Sequence, residues 1–253
     1  LTWLFSGYNI AYAATLLTAG RLADAYGRKK AFIRGLVLFA IGSALCAIAQ
    51  NPEMLIASRV IQAIGGAILS PASLALVLPE FPVERRSAAI GIWGAVGGLS
   101  AAMGPVIGGW LIDLFNWRAV FFVNVPVCLL AAAIGVKFLR ESLDETAHKS
   151  VDIPGALLAV ISVGLVALAI VQSDEWGWLT PTTISILAAA AVASALFVVT
   201  CQRAEVPVLD LRLLKLPFVT ASTVAGLVFS AGFYAMIFIN TQWLQNVWNY
   251  GVL

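Results

Sequence analysis

The sequence predicts an all-α polytopic membrane protein, and three observations carry that reading. The 253-residue chain is 61% hydrophobic, with a mean hydropathy of +0.95. A soluble domain of this length needs far more polar surface to cover its core. Apolar stretches of about 20 residues recur along the chain, the length that crosses a bilayer as a helix. They are unbroken apolar runs, not the ten-residue alternation of a membrane β-barrel.

Eight spans follow from these runs: roughly Trp3–Ala23, Ala31–Ile48, Met54–Leu78, Ala88–Ile112, Ala119–Leu139, Ile153–Gln172, Pro181–Thr200 and Pro217–Leu244. Helix punctuation supports the breaks. Asn51-Pro52-Glu53 supplies a cap, a first-turn proline and an acid at the positive helix end. Thr180-Pro181 repeats the cap and the proline, and Pro154 and Pro217 also sit where a helix begins.

Charge sorts the connections into two sides. Arg21, Arg28, Lys29, Lys30, Arg34, Arg85, Arg86, Lys137, Arg140, Lys149, Arg203, Arg212 and Lys215 fall on one side. Of the 15 basic residues only Arg118, on the other side, and Arg59, within a span, stand apart. The positive-inside rule puts the basic loops in the cytoplasm of a multi-pass protein of the cell membrane. Trp3, Trp110, Trp117, Trp176, Trp178, Trp243 and Trp248 fall near the opposite face, as an interfacial aromatic belt does. The same topology puts Leu1 outside, so one further span is expected upstream.

The domain organisation expected is therefore a helix bundle over 1–139 that lacks its first span, and a cytoplasmic loop at 140–152. Two linker spans follow over 153–200, then a second cytoplasmic loop at 201–216. The first span of another bundle runs over 217–253. The linker pair is almost free of polar side chains and reads as peripheral. The first five spans carry the glycines and the buried charge, and read as the working bundle.

The loop Gly20-Arg21-Leu22-Ala23-Asp24-Ala25-Tyr26-Gly27-Arg28-Lys29-Lys30 is a charge-dense turn between two apolar stretches. Gly20 and Gly27 permit close helix approach and a tight turn. Asp24 stands at the membrane edge, with Arg28 one helical turn further on. Such a pair suits a lock on the cytoplasmic face that is made in one conformation and released in another. The plainer reading is a positive loop that only sets topology.

Arg59 lies about five residues inside its span. A guanidinium there costs several kcal/mol unless it faces a cavity or a partner. Gln62, three residues on, shares its helix face. Facing a cavity, Arg59 can hold an anionic group or couple a carboxylate to protonation. Alternatively it snorkels to the outer interface. In the fourth span, Gly94/Gly98 and Gly104/Gly108 are GxxxG pairs that permit close helix packing. Pro105 removes a backbone hydrogen bond and permits a kink, and Gly109 completes the Gly-Pro-x-x-Gly-Gly ending.

Tyr8, Asn9, Tyr12, Trp93 and Asn124 are candidates to line a substrate cavity, with Asn240 and Gln242 on the last span as weaker ones. Helix–helix contact or interface anchoring explains each of them equally well. Cys46, Cys128 and Cys201 read as reduced packing residues, since their spacing fits no zinc site. The single histidine, His148, falls in a loop. There is no Ser/His/Asp set, no metal-ligand spacing and no phosphate-binding glycine loop. The expectation is thus a protein that is not an enzyme, without metal, cofactor or nucleic-acid partner.

These motifs resemble those of one family. Gly20–Lys30 resembles motif A of the major facilitator superfamily, Arg59–Ala67 its motif B, and Gly94–Gly109 the motif C typical of its antiporters. Asn116–Pro126 and the apolar pair Ile153–Thr200 resemble features of the fourteen-span drug:proton antiporters. The resemblance implies a partial major facilitator fold covering about spans two to nine. It implies proton-coupled efflux of hydrophobic or cationic small molecules by alternating access, driven by the proton gradient alone. The partners it implies are the lipid bilayer, a small-molecule substrate and protons. Gly20, Asp24, Gly27, Arg28, Lys29 and Lys30 would form a cytoplasmic gate. Arg59, with Gln62 beside it, would couple protons, and Gly94, Gly98, Gly104, Pro105, Gly108 and Gly109 would shape the antiporter helix. An exporter of one specific metabolite, and a non-transporting receptor or assembly subunit, are the alternatives.

Overall fold

In a computed structural model, residues 2–142 and 152–247 are described. His148, Lys149 and Trp248 lie outside the described residues, as does the side chain of Gln242. Nine α-helices occur among the described residues: α1 (Thr2–Tyr26), α2 (Arg28–Ala47), α3 (Pro52–Val77), α4 (Arg86–Leu114), α5 (Arg118–Phe122), α6 (Asn124–Phe138), α7 (Ile153–Trp176), α8 (Pro181–Arg203) and α9 (Pro217–Asn246). Short 3-10 turns at Leu78–Glu80, Val83–Arg85 and Leu213–Lys215 join them, and no strand is present among the described residues.

Seven segments are long and apolar enough to cross a membrane. Taking α5 and α6 together as one segment, they match seven of the eight expected spans. The remaining one, α1, has 25 residues, enough length for a bilayer, but falls outside the seven. It carries Tyr8, Asn9, Tyr12, Arg21 and Asp24 along its length. The expected span Ala119–Leu139 divides between α5 and α6 at Val123, which keeps helical dihedrals. Pro126 explains the division, because without an N–H it cannot bond the Phe122 carbonyl one turn back.

The expected caps form. The Asn51 side chain accepts from Met54 N at 2.8 Å, and Pro52 opens α3. Thr180 accepts from Thr183 N, with Pro181 opening α8. Asp152 caps α7 through Gly155 N at 2.8 Å.

α1, α2 and α3 pack along one another, and α2 also packs against α5 and α6. Leu36 and Ala40 of α2 meet Cys128 and Ala132 of α6 in a buried cluster, flanked by Phe32, Ile33, Phe39 and Leu69. The tightest approach is between α2 and α3. A Cβ on Gly42 would lie 2.5 Å from Gln62 N, and one on Gly65 would lie 2.5 Å from Phe39 N. Glycine is required at both positions because backbone meets backbone there.

The linker pair forms a hairpin of α7 and α8, turned at Gly177 with φ 86°. Thr180 and Thr183 both donate to the Gly177 carbonyl, at 3.0 and 2.8 Å. α7 packs along α1, where Gly164 faces Ile10. α4 is almost entirely exposed along its length, and so are the described side chains of α9.

Candidate functional site

α1 ends at Tyr26 and α2 begins at Arg28, so the turn between them is Gly27 alone, at φ 110°. That left-handed backbone is costly for a residue with a Cβ, which explains the glycine in chemical terms. The tight turn places Asp24 and Arg28 on one face, where Arg28 Nε donates to Asp24 Oδ1 at 2.8 Å. It is the one salt bridge among the described residues. Arg28 Nη1 also reaches the Ala75 carbonyl of α3 and Ser142 Oγ beyond α6, both at 3.4 Å. The pair therefore sits where α1, α2, α3 and the exit from α6 converge. Gly20 lies against Pro71 of α3, with room for a methyl group at ordinary contact distance. Lys29 turns to the end of α6, and Lys30 is exposed.

Arg59 stands on α3 among polar and aromatic groups. Its Nη1 donates to Gln62 Oε1 at 2.7 Å, and its guanidinium carbon lies 4.0 Å from the Tyr8 ring centroid. Phe121 is on another side, at 5.8 Å. Gln62 is buried and donates through Nε2 to Ser43 Oγ of α2 at 2.6 Å. The amide thus bridges a charged group and a hydroxyl, while Arg59 Nε also donates to the Leu4 carbonyl of α1 at 3.5 Å. Among the described residues no carboxylate lies within salt-bridge distance of Arg59.

The candidate cavity residues divide. Tyr8 and Tyr12 are stacked at 6.1 Å on α1, and Tyr12 shares a 2.6 Å hydroxyl bond with Ser70 of α3. Trp93 of α4 donates through Nε1 to Ser73 Oγ at 3.1 Å, and Ser73 donates to the Ser70 carbonyl. Arg59, Tyr8, Tyr12, Ser70, Ser73 and Trp93 thereby form one polar seam along α1, α3 and α4. Asn9 is exposed on another face of α1. Asn124 donates back to the Val120 carbonyl of its own chain segment, and Asn240 is exposed.

The glycine helix differs from its sequence expectation. α4 runs unbroken through Pro105 from Arg86 to Leu114. Among the described residues nothing lies within 4 Å of a Cβ placed on Gly94, Gly98, Gly104 or Gly108, while Gly109 is buried. The close packing expected of these GxxxG pairs is not made within the described chain. Gly42 and Gly65 make that kind of contact instead. Neither forms a GxxxG pair, so the sequence pattern did not single them out. Ser43, Ser70 and Ser73 were likewise missed, because a lone serine in an apolar run carries no pattern of its own. Glu141 was missed because it stands in a loop expected only to connect.

At the opposite end, Trp3, Pro52, Leu55, Trp117 and Arg118 help line a cavity of about 380 Å³. Arg118 donates to the Ala49 carbonyl at 2.9 Å and stacks over Trp117 at 4.4 Å. Trp3 and Trp117 thus share the end remote from the Asp24–Arg28 pair, as an interfacial belt requires.

A bundle of long apolar helices with an ion-paired turn at one end and an arginine inside a span has the build of a polytopic membrane protein. The comparison with known proteins is specific: residues 1–250 match the family model described as Major Facilitator Superfamily, and the chain belongs to that family. It is 36% identical to multidrug resistance protein Stp of Mycobacterium tuberculosis, over 99% of this chain and 47% of that protein. It is 36% identical to the tetracenomycin C resistance and export protein of Streptomyces glaucescens, over 97% of this chain and 46% of that protein. It is 34% identical to the methylenomycin A resistance protein of Bacillus subtilis, over 97% and 52% respectively. The chain spans about half the length of these relatives.

Proposed function

We propose that the protein containing this chain is a secondary active transporter that expels hydrophobic or cationic small molecules in exchange for protons, by alternating access. It would sit in the cytoplasmic membrane with its basic loops inside, following the charge asymmetry. The observation that carries the reading is Arg59: a charge retained inside a span at a cost of about 3 kcal/mol, held by Gln62 and Tyr8 rather than by a carboxylate. A coupling role makes sense of that cost, since a cation in a low-dielectric seam shifts the protonation of any acid brought near it. Asp24–Arg28 suits a gate because an ion pair at the membrane edge is weak enough to exchange partners during a cycle. Resistance and export in the names of the relatives support efflux. Tetracenomycin C and methylenomycin A are single compounds, which favours as second reading an exporter of one specific metabolite.

The test is ethidium efflux by the full-length protein in everted membrane vesicles. The proposal expects efflux that follows the proton gradient and stops with a protonophore. Efflux that persists after the gradient collapses overturns it.

A further inference from the structure

Two helix ends near the gate are capped by each other's chain segments. α2 starts at Arg28 with Gly27 at its cap position, and Gly27 has no side chain to cap it. The carboxylate comes from elsewhere: Lys29 N donates to Glu141 Oε1 at 3.0 Å, and Ser142 N donates to the same oxygen at 3.2 Å. Arg28 N donates to the Ser142 carbonyl at 3.1 Å. In return, Lys29 Nζ donates to the carbonyls of Val136 and Leu139 at the end of α6, both at 2.8 Å. An anion thus sits at the positive end of α2 and a cation at the negative end of α6, the favourable sense for both helix dipoles. Gly27 fits this arrangement a second way. A Cβ there would lie 2.8 Å from Glu141 Oε1.

We propose that Glu141 is a positioning residue for the gate. Resting on the gate reading of Asp24 and Arg28, the inference adds what holds Arg28 in place. Arg28 is divided between Asp24, the Ala75 carbonyl and Ser142, so the position of residues 141–142 sets where its guanidinium points. The chain beyond Ser142 leads into α7, which packs along α1, the helix that carries Asp24.

The test uses the full-length protein and two readouts. The first is the rate at which a maleimide modifies Ser142→Cys, read by mass spectrometry of the peptide containing position 142. The buried Cys46, Cys128 and Cys201 serve as slow internal references. Glu141→Ala should speed the labelling about tenfold and Glu141→Gln, which keeps an acceptor oxygen, by less. This readout does not depend on transport, so it stands even if the transporter reading fails. The second readout is ethidium efflux: Glu141→Ala should lower the maximal rate several-fold at unchanged KM, with Glu141→Gln between it and the parent. Unchanged labelling overturns the cap, and faster labelling with an unchanged efflux rate overturns the positioning role. Should Glu141→Ala fail to accumulate in the membrane, the Glu141→Gln arm decides both points.

Discussion

The guanidinium of Arg59 lies over the face of the Tyr8 ring, 4.0 Å from its centroid. Two helices are joined there by a contact that needs an aromatic face on α1 and a cation on α3. Stacking in a desolvated site contributes about 1 to 2 kcal/mol and keeps the cation solvated by π-electrons where water is scarce. Tyr8→Phe keeps the face and should leave efflux by the full-length protein within twofold of the parent. Tyr8→Leu removes it and should lower efflux about fivefold or more. Initial efflux rates at matched membrane expression check both.

Gln62 is the second support of the same charge. It is buried, and it bonds Arg59 on one side and Ser43 on the other. An interhelical hydrogen bond in a membrane protein contributes only about 0.6 kcal/mol on average, so the Ser43 bond alone is a small term. Leaving a half-buried charge short of an acceptor costs more, about 1 to 3 kcal/mol. Gln62→Leu should therefore destabilise the detergent-solubilised protein by more than Ser43→Ala does. Thermal unfolding midpoints of the two variants check the ranking.

Asp24→Asn removes the charge that faces Arg28 at 2.8 Å. Both side chains are partly exposed, and pairs of that kind contribute about 0 to 1 kcal/mol to stability. The variant should fold and bind substrate much as the parent does. On the proposed gate reading turnover should fall about tenfold, since that reading makes Asp24 the partner against which Arg28 closes. Substrate binding and efflux rate, measured on the same preparation, separate the two effects.

Gly42 and Gly94 should respond in opposite ways to the same change. A methyl on Gly42 meets the backbone of Gln62 at 2.5 Å, so α2 and α3 must move apart. Overpacking of this sort costs about 1 to 3 kcal/mol. A methyl on Gly94 meets nothing within 4 Å among the described residues. Gly42→Ala should lower the thermal midpoint of the solubilised chain by several degrees, and Gly94→Ala should leave it nearly unchanged.

The helices, their caps and the Asp24–Arg28 ion pair were legible in the sequence because each rests on local spacing. Asp24 and Arg28 are four residues apart, Arg59 and Gln62 three, and Asn51 and Thr180 stand directly before prolines. What the sequence left hidden depends on contacts between distant segments. Glu141 caps a helix that begins 113 positions earlier, and nothing near it in sequence marks that use. The GxxxG pairs of α4 read as packing sites, yet the tight approach falls on Gly42 and Gly65. A glycine pattern gives the capacity for close contact, and only the arrangement of the neighbouring helices decides where it is used. Tyr8 and Tyr12 were picked as polar residues in a span, but their junction with Arg59 and Ser70 required the fold.

The central claim is that Arg59 couples protons to substrate movement. The most direct measurement places the full-length protein in proteoliposomes with an internal pH dye, and follows proton flux when a substrate gradient is imposed. The account predicts substrate-evoked proton flux in the parent and none in Arg59→Ala, with the variant inserted at equal density. Equal proton flux in Arg59→Ala would contradict it.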